Sequence, residues 1–332
     1  MKKVAVVILN WNGTQLLRTF LPSVLHYSNE ATIYVADNAS TDDSIDVLKN
    51  EFPVIKIIQN KDNYGYAKGY NEALKTVEEP YFALVNSDIE VTENWLDRII
   101  ELFDNQPETA IIQPKILDYK KKTHFEYAGA AGGYIDALGY PYCRGRLFDT
   151  LEEDNGQYND EVSIFWATGA CLFIRKRVFE ELKGFDADFF AHQEEIDLCW
   201  RAYNLGYKAM YTSKSVVYHV GGATLNEANP KKTFLNFRNS LLMLTKNLPK
   251  NKLLPILFSR LCLDGIAGIQ FLIQGRGKHT LAILNAHFAF YKLLKIYLNK
   301  RKKTQPHTYY LHKNIIWSYF ILQKRYFTRL KC

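Results

Sequence analysis

The chain of 332 residues carries 42 lysines and arginines against 35 acidic residues, a formal net charge of +7, and 47 % of its residues are hydrophobic. This hydrophobic content excludes an intrinsically disordered chain, and the length allows one large α/β domain or one domain with an appendage. The charge is unevenly divided, since residues 230–332 hold 20 basic residues and one acid, a net +19, which leaves −12 on residues 1–229. The sequence therefore predicts an acidic domain joined to a basic one.

The five cysteines are odd in number and widely spaced, at positions 143, 171, 199, 262 and 332. This pattern indicates neither a disulfide framework nor a CxxC metal site, and it suits a reducing cytoplasm. The apolar run Val4–Leu9 near the N-terminus is too short for a signal peptide. We interpret it as a first strand.

Strands and helices alternate through the first 85 residues. The predicted strands are Val4–Leu9, Ala31–Val35, Val54–Ile58 and Tyr81–Val85, and the predicted helices cover Leu16–Val24, Ser44–Phe52 and Asn71–Val77. Continuous β-branched runs are typical of parallel strands buried on both faces. The alternation predicts an α/β fold with a parallel, helix-covered sheet and right-handed crossovers.

Polar residues follow every one of these strands, in the segments 10–13, 37–43, 60–71 and 86–88. Open α/β sheets bind their ligands at the carboxyl ends of strands. No G-x-G-x-x-G or G-x-x-x-x-G-K-[ST] motif is present, so a dinucleotide fold and a P-loop both lose support. Asn86-Ser87-Asp88 offers oxygen ligands suited to Mg²⁺ or Mn²⁺, although the same residues are ordinary turn chemistry.

These segments, in this order, resemble the nucleotide-sugar motifs of family 2 glycosyltransferases with the GT-A fold, in particular the rhamnosyltransferase-like branch. Further similar segments follow downstream in the family's order: Trp166–Arg175, Gly184–Asp186, Glu194–Arg201, Gly206–Tyr207 and His219–Gly222.

The resemblance implies a GT-A catalytic domain over residues 1–248 with a mostly parallel central sheet. Residues 1–115 would form its nucleotide-binding half and residues 116–248 its acceptor half. Residues 249–332 would form a basic, apolar, helical C-terminal extension.

The same resemblance places a set of residues around the nucleotide sugar: Asn10, Asn12, Asp37, Asn38, Asn63, Gly65, Lys68, Asn86, Ser87, Trp166 and Gly169. Purely structural roles stay open for several of them. Asn12 and Gly65 suit turns, Lys68 suits a solvated surface, and Trp166 suits a hydrophobic core.

Asp88 and His219 are the metal ligands that the resemblance implies, for Mn²⁺ or Mg²⁺. Asn86 stands in the first position of the family's D-x-D motif, where its amide adds no charge, so Asp88 would be the one carboxylate ligand from this turn. A lone histidine such as His219 is by itself more often a hydrogen-bonded structural residue.

Glu194 and Glu195 stand where the similar family has its acidic pair, so the resemblance implies Glu195 as the general base of an inverting transfer and Glu194 as the second choice. An acceptor hydroxyl must lose a proton as it attacks the sugar. Alternatively, Glu195 belongs to an exposed helix-face network with Asp197 and Arg201, which form an i,i+4 pair.

The basic tail lacks a clean run of about 20 apolar residues, so we expect no spanning helix. Arg260 and Asp264 interrupt its apolar stretches, and Lys300–Lys303 and Lys331 add positive charge. This composition favours peripheral association with an anionic membrane surface; packing on the catalytic domain is the alternative. No recognised nucleic-acid module is present.

The sequence thus predicts an inverting, metal-dependent glycosyltransferase at the cytoplasmic face of the plasma membrane. It would move a sugar such as rhamnose from a dTDP or UDP donor to a cell-surface polysaccharide or lipid-linked glycan. The alternatives are an inactive glycan- or lipid-binding protein with the same fold, and a nucleotidyltransferase, although the phosphate loop typical of the latter is missing after the first strand.

Overall fold

A computed structural model describes residues 2–221, 229–302, 306 and 308–330 of the chain. Four residues named above lie outside the described residues: Gly222 of the motif that begins at His219, Lys303 and Lys331 of the basic tail, and Cys332.

The strands are β1 (Val4–Asn10), β2 (Ala31–Asp37), β3 (Lys56–Gln59), β4 (Tyr81–Asn86), β5 (Ile89–Val91), β6 (Thr109–Asp118), β7 (Gly133–Ile135), β8 (Pro141–Cys143), β9 (Arg146–Leu147), β10 (Thr150–Leu151), β11 (Glu161–Ile164), β12 (Cys171–Arg175) and β13 (Lys208–His219). The α-helices are α1 (Thr14–His26), α2 (Ser44–Glu51), α3 (Gly65–Ala73), α4 (Asp97–Asn105), α5 (Lys176–Glu181), α6 (Glu194–Asn204), α7 (Pro230–Asn247), α8 (Lys250–Ile273) and α9 (Gly277–Asn299).

A nine-stranded sheet forms the centre of the molecule, in the order β11-β13-β6-β12-β4-β1-β2-β3, with β5 paired to β13. Strands β1 to β4, β6 and β13 run in one direction, whereas β5, β11 and β12 run against them. The predicted α/β class with a mainly parallel central sheet is therefore confirmed. Strand β12 separates the parallel strands of the N-terminal half from β6 and β13.

Alternating residues of β1 enter two separate cores. Val4, Val6 and Ile8 face α1, α2 and α4 on one side of the sheet. Ala5 and Val7 face the side that is covered by α3, α5, α6 and α7. Burial on both faces explains why these strands read as continuous apolar runs rather than as an alternating pattern.

Helix α3 begins earlier than the sequence suggested. It covers Gly65–Ala73 and continues into a short 3₁₀ turn, Leu74–Thr76, instead of spanning Asn71–Val77. Glycine and tyrosine are weak helix formers, which hides this helix from a propensity argument. Burial of Ala67, Tyr70 and Ala73 along one face stabilises it against the sheet.

A four-stranded antiparallel sheet, β10-β9-β8-β7, forms in the segment between β6 and β11. The C-terminal residues pack on it, since Ile315 and Tyr319 join Tyr142 and Leu147 in a small buried cluster. Asp136 accepts hydrogen bonds from the Leu138, Tyr140 and Ile315 backbone amides. The residues near the C-terminus are thus attached to this small sheet.

Helices α8 and α9 bear on the expectation that the tail contains no spanning helix, which stays a prediction. They have 24 and 23 residues and are long and apolar enough to cross a membrane, by length and composition only. Arg260 and Asp264 do not interrupt α8 because both side chains are buried against the protein, where Arg260 donates to the carbonyls of Leu138 and Gly139. In the apolar 18-residue stretch of each helix, 28 % is buried in the protein. Neither helix is therefore enclosed in the protein core.

Candidate active site

Asn10 and Asp37 end the neighbouring strands β1 and β2, where they are paired in register and buried. Asn10 Nδ2 donates to Asp37 Oδ1 at 3.0 Å, and Ser40 N donates to Asp37 Oδ2 at 2.9 Å. Asn12 is exposed and has a positive φ of 50°; its Oδ1 accepts from Thr41 N at 2.7 Å. The predicted residues therefore meet at one edge of the sheet, where they also hold each other in place.

Asn38 connects the second strand end to helix α3. Its Nδ2 donates to Gly65 O at 2.9 Å, and its Oδ1 accepts from Asn60 Nδ2 at 2.7 Å. Asn63 Oδ1 accepts from Gly65 N at 3.0 Å, which is an Asx turn at the helix start. Gly65 is required for its backbone, since its φ is +69° and a Cβ there would lie 2.7 Å from Phe190 O.

Three further residues that were predicted to bind the nucleotide sugar lie in different environments. Lys68 is exposed, with its Nζ 3.9 Å from the centroid of the Tyr64 ring. Trp166 is only 4 % exposed and donates from Nε1 to Tyr134 O at 2.8 Å, so it lies in the core. The space beside Gly169 is taken by Tyr66, whose hydroxyl would lie 3.0 Å from a Cβ at residue 169. Donor binding by these residues stays a prediction.

Asp88 and His219 are brought together by the pairing of β5 with β13, in which Ile89 stands opposite His219. His219 Nε2 lies 3.2 Å from Asp88 Oδ1, and both side chains are buried. Asn86 and Ser87, which precede Asp88, are partly buried at the same strand end. The two predicted metal ligands thus share one site.

Glu126 is a third member of this site that the sequence reasoning missed. Its Oε1 lies 3.3 Å from His219 Nδ1, and its Oε2 accepts from Ala128 N at 2.5 Å. Burial alone would lower the pKa of His219, but the neighbouring carboxylates of Asp88 and Glu126 outweigh it and raise that pKa to about 10. Glu126 lies in an irregular segment without a motif, so only the fold reveals this contact.

The donor atoms of Asp88 and His219 suit one divalent cation, which would replace the proton that the raised pKa of His219 keeps on the ring. Adjacent ligands of an octahedral ion with bonds of about 2.1 Å lie about 3 Å apart, close to the 3.2 Å observed between Oδ1 and Nε2. Within the described part of the chain, no group of three or more His, Cys, Asp or Glu side chains is arranged to hold a metal. Any ion at this pair would therefore take further ligands from substrate oxygens and water.

Glu194 and Glu195 form the first turn of α6, on the side of the sheet that also carries α3. Burial raises the pKa of Glu194 well above its usual value, with a further contribution from the charge of Glu195. Burial also raises the pKa of Glu195, to about 7, against the lowering effect of backbone amides. A carboxylate with a pKa near neutrality is suited to general base catalysis.

Four consecutive side chains around this turn have a buried polar atom with no hydrogen-bond partner among the described residues: His192 Nε2, Gln193 Oε1, Glu194 Oε2 and Glu195 Oε2. Buried polar atoms are normally paired, so an unpaired group of them indicates a place where substrate or water binds. The alternative of an exposed helix-face network does not describe Glu195, which is partly buried and unpaired at this oxygen.

Asp197 and Arg201 form the ion pair that the sequence predicted, with Arg201 Nε 2.7 Å from Asp197 Oδ2. The pair extends further than expected, because Lys246 Nζ also donates to Asp197 Oδ2, at 2.8 Å, and Asn247 Nδ2 donates to Asp197 Oδ1, at 2.8 Å. Helix α6 is thus fixed to α7 through buried charges.

Tyr66 links helix α3 to the turn at Gly169, and the sequence reasoning did not predict a role for it. It lies on α3, and its hydroxyl donates to Gly169 O at 2.7 Å. Burial raises its pKa well above the usual value, and the negative charges of Glu194 and Glu195 add to this effect. Tyr66 therefore contacts the Gly169 turn directly, and its pKa responds to the charges of the carboxylate pair.

A family model described as "Glycosyl transferase family 2" matches residues 5–183. The N-acetylglucosaminyl-diphospho-decaprenol L-rhamnosyltransferase of Mycobacterium tuberculosis is 21 % identical over 229 residues, which cover 64 % of this chain and 75 % of that protein.

Two solved structures have a similar fold. TarS of S. aureus in complex with UDP-GlcNAc aligns with a TM-score of 0.58 at 16 % identity, over 90 % of this chain and 84 % of that chain. GalNAc-T7 with UDP, GalNAc and Mn²⁺ aligns with a TM-score of 0.57 at 15 % identity, over 74 % of this chain and 48 % of that chain. The latter alignment thus spans about half of the GalNAc-T7 chain. These neighbours confirm the GT-A fold.

Proposed function

Because this chain belongs to glycosyltransferase family 2, we propose that it transfers a sugar from a nucleoside diphosphate donor with inversion, and that Glu195 is the general base. The observation that carries this proposal is the buried, unpaired Oε2 of Glu195 on a carboxyl group whose pKa is raised to about 7. Family membership removes support from the nucleotidyltransferase alternative.

In the proposed reaction the Glu195 carboxylate takes the proton of an acceptor hydroxyl while the hydroxyl oxygen forms a bond to the anomeric carbon. The bond from that carbon to the diphosphate oxygen breaks, and the diphosphate leaves with the electron pair. Asp88 and His219 would hold a divalent ion, Mn²⁺ or Mg²⁺, which as a Lewis acid stabilises the charge on the diphosphate. Mn²⁺ is supported by its presence with UDP in the similar GalNAc-T7 structure.

Donor and acceptor are proposed from the named relatives together with the motif set. The mycobacterial relative is named as an L-rhamnosyltransferase that acts on a lipid-linked N-acetylglucosaminyl diphosphate, and TarS binds UDP-GlcNAc. We accordingly propose a dTDP- or UDP-sugar as donor, with dTDP-rhamnose first, and a lipid-linked or cell-surface glycan as acceptor.

The surface of the two tail helices supports a membrane location. Both expose large apolar side chains: Leu254, Phe258, Ile266, Ile269, Leu272 and Ile273 on α8, and Leu281, Leu284, Phe288, Tyr291, Ile296 and Leu298 on α9. An exposed apolar face of this size indicates an interaction surface, and the net +19 of residues 230–332 suits anionic lipid. We propose that this face attaches the enzyme to the cytoplasmic side of the plasma membrane.

The experiment that tests the proposal incubates the purified full chain with Mn²⁺ and a panel of dTDP-rhamnose, UDP-GlcNAc and GDP-mannose, with lipid-linked N-acetylglucosaminyl diphosphate as acceptor. Product mass identifies the transferred sugar. Consumption of at least one donor is expected. Binding of UDP or dTDP without any turnover would instead support the inactive binding protein, and the absence of both would overturn the proposal.

A further inference from the structure

The loop between the 3₁₀ turn Ala187–Phe189 and helix α6 leads directly into Glu194 and Glu195. Three of its residues have positive φ angles although none of them is glycine: Phe190 at 64°, His192 at 70° and Gln193 at 72°. Such conformations are uncommon for residues with a side chain and persist only where surrounding contacts determine them.

Phe190 has the most unusual conformation of the three. Its φ of 64° and ψ of −60° are those of a γ-turn with the rare sign, and Ala191 N donates to Phe189 O at 2.7 Å across it. An isolated peptide of this sequence would leave this conformation, so the contacts that maintain it are part of the site.

Asn239 on α7 supplies those contacts from a fully buried position. Its Nδ2 donates to three carbonyl oxygens of the loop: Phe189 O at 2.9 Å, Ala191 O at 3.0 Å and His192 O at 2.8 Å. The neighbouring Arg238 donates from Nε to Asn239 Oδ1 at 2.9 Å. This bond places the amide oxygen toward the guanidinium and turns the NH₂ group toward the loop.

The opposite side of the loop is fixed by helix α3. Phe190 O accepts from Tyr66 N at 2.8 Å and from Ala67 N at 3.3 Å, the first backbone amides after Gly65. The loop therefore bridges α3 in the donor half and α7 beside the tail, and the carboxylate pair is attached to its end.

We propose that Asn239 is a positioning residue for the transfer reaction: its amide holds loop 189–193 in the conformation that presents Glu194 and Glu195 to the acceptor. The inference rests on the proposed role of Glu195. An amide is required because the loop offers only carbonyl oxygens. An aspartate of the same shape would still accept from Arg238 but would place a carboxylate oxygen against three carbonyls.

The test compares Asn239→Asp with Ser240→Ala in the full chain. Ser240 follows on the same helix and is also buried, but it accepts from Arg260 Nη2 at 2.7 Å and has no hydrogen bond to the loop. We expect Asn239→Asp to lower kcat about 100-fold, since small misplacements of a catalytic group have effects of this size. The Kd for UDP in the presence of Mn²⁺ should stay within about threefold, and Ser240→Ala should keep kcat within about threefold of wild type.

Conservative replacement and hydrogen exchange separate positioning from general destabilisation. Asn239→Gln keeps the donor and should recover part of the lost kcat. Exchange of the backbone amides in peptide 186–197 should be faster in Asn239→Asp and unchanged in Ser240→Ala. If Asn239→Asp does not fold, Asn239→Ser takes its place, since serine keeps one hydrogen-bond donor on a shorter side chain. Its kcat and its Kd for UDP are then compared with those of wild type in the same way.

Folded Asn239→Asp with kcat within threefold of wild type would overturn the inference, as would equal losses of kcat and UDP affinity. Failure of the proposed function is recognised separately, because the wild-type protein would then consume no donor. In that case the exchange experiment still decides whether Asn239 holds the loop.

Discussion

His219 Nε2 and Asp88 Oδ1 lie 3.2 Å apart on adjacent strand ends, a separation that suits two neighbouring ligands of one cation. Replacing Asp88 with asparagine keeps the shape of the site but removes its charge. We expect Mn²⁺-dependent binding of UDP to weaken by more than about 10-fold, while any binding without the metal stays unchanged. Calorimetric titration with and without Mn²⁺ measures both quantities, and equal affinities for wild type and variant would contradict the assignment.

Glu126 Oε1 lies 3.3 Å from the other ring nitrogen of His219, and loss of such a neighbour of a metal ligand typically changes metal affinity by about 10–100-fold. Glu126→Gln should therefore weaken Mn²⁺ binding in the presence of UDP within this range. Glu152→Gln is the matched control, because Glu152 is also buried but its carboxylate accepts from Tyr158 and forms no ion pair with His219. Electron paramagnetic resonance of Mn²⁺, recorded during titration of each protein in the presence of UDP, gives the Mn²⁺ affinities. A similar loss in both variants would indicate a general effect on the fold.

Glu195→Gln removes the proposed base without changing the size of the side chain. General base catalysis contributes about 10²–10⁴-fold, so kcat should fall by at least 100-fold while the Kd for UDP changes little. Glu194→Gln should have a smaller effect on kcat. Steady-state kinetics with the sugar donor that wild type consumes fastest gives the kcat of wild type and of both variants. An unchanged kcat in Glu195→Gln together with a large loss in Glu194→Gln would move the base to Glu194.

The raised pKa of Glu195 has opposite consequences for activity and stability as pH rises. Catalysis needs the ionised carboxylate, so kcat should increase with pH up to about 7 and then level off. The folded pKa exceeds the unfolded value, so the folded protein binds the proton more tightly. This group thus stabilises the fold below the unfolded pKa, near 4.5, and loses that contribution as pH passes 7.

Thermal unfolding between pH 5 and 8 checks the stability part of this prediction. The melting temperature of wild type should fall relative to that of Glu195→Gln as pH rises through 7. Parallel curves for the two proteins would mean that Glu195 does not titrate with a raised pKa in the folded state.

Gly65→Ala tests the contact between α3 and the loop before α6. The added Cβ would lie 2.7 Å from Phe190 O, and φ is +69°. Gly206→Ala is the control, because Gly206 has a similar φ of +87° but no atom within 4 Å of the added Cβ. Each variant should lose about 1–2 kcal/mol from the unfavourable φ. Denaturant unfolding should show an additional loss in Gly65→Ala, together with reduced kcat; equal losses would exclude an effect of the contact.

The exposed face of α8 and α9 should bind anionic vesicles. A double variant, Leu272→Asp with Ile273→Asp, places charges near the end of α8 at residues that are 61 % and 83 % exposed. Sedimentation with phosphatidylglycerol vesicles should capture wild type and not this variant. Leu205→Asp, at a residue 39 % exposed after α6, is the control and should still bind. Equal capture of all three proteins would contradict the proposed attachment face.

Local sequence features predicted a large part of this structure. Strands β1, β2 and β4 were found from continuous β-branched runs, and the polar residues at their ends converge as expected, because carboxyl ends of parallel strands meet at one edge. The start of α3 was misplaced by six residues, since its glycines and tyrosines are stabilised by packing on the sheet rather than by propensity.

By itself, then, the sequence determined the α/β class and the strand-end clusters, and its resemblance to the family implied the candidate pairs Asp88 with His219 and Glu194 with Glu195. Only the tertiary structure showed that Glu126 contacts His219 and that Asn239 holds the loop before α6. The physical reason is the range of the interactions. Periodicity and turn chemistry act within a few residues, whereas these contacts join segments far apart in the chain and exist only after the sheet and helices have packed.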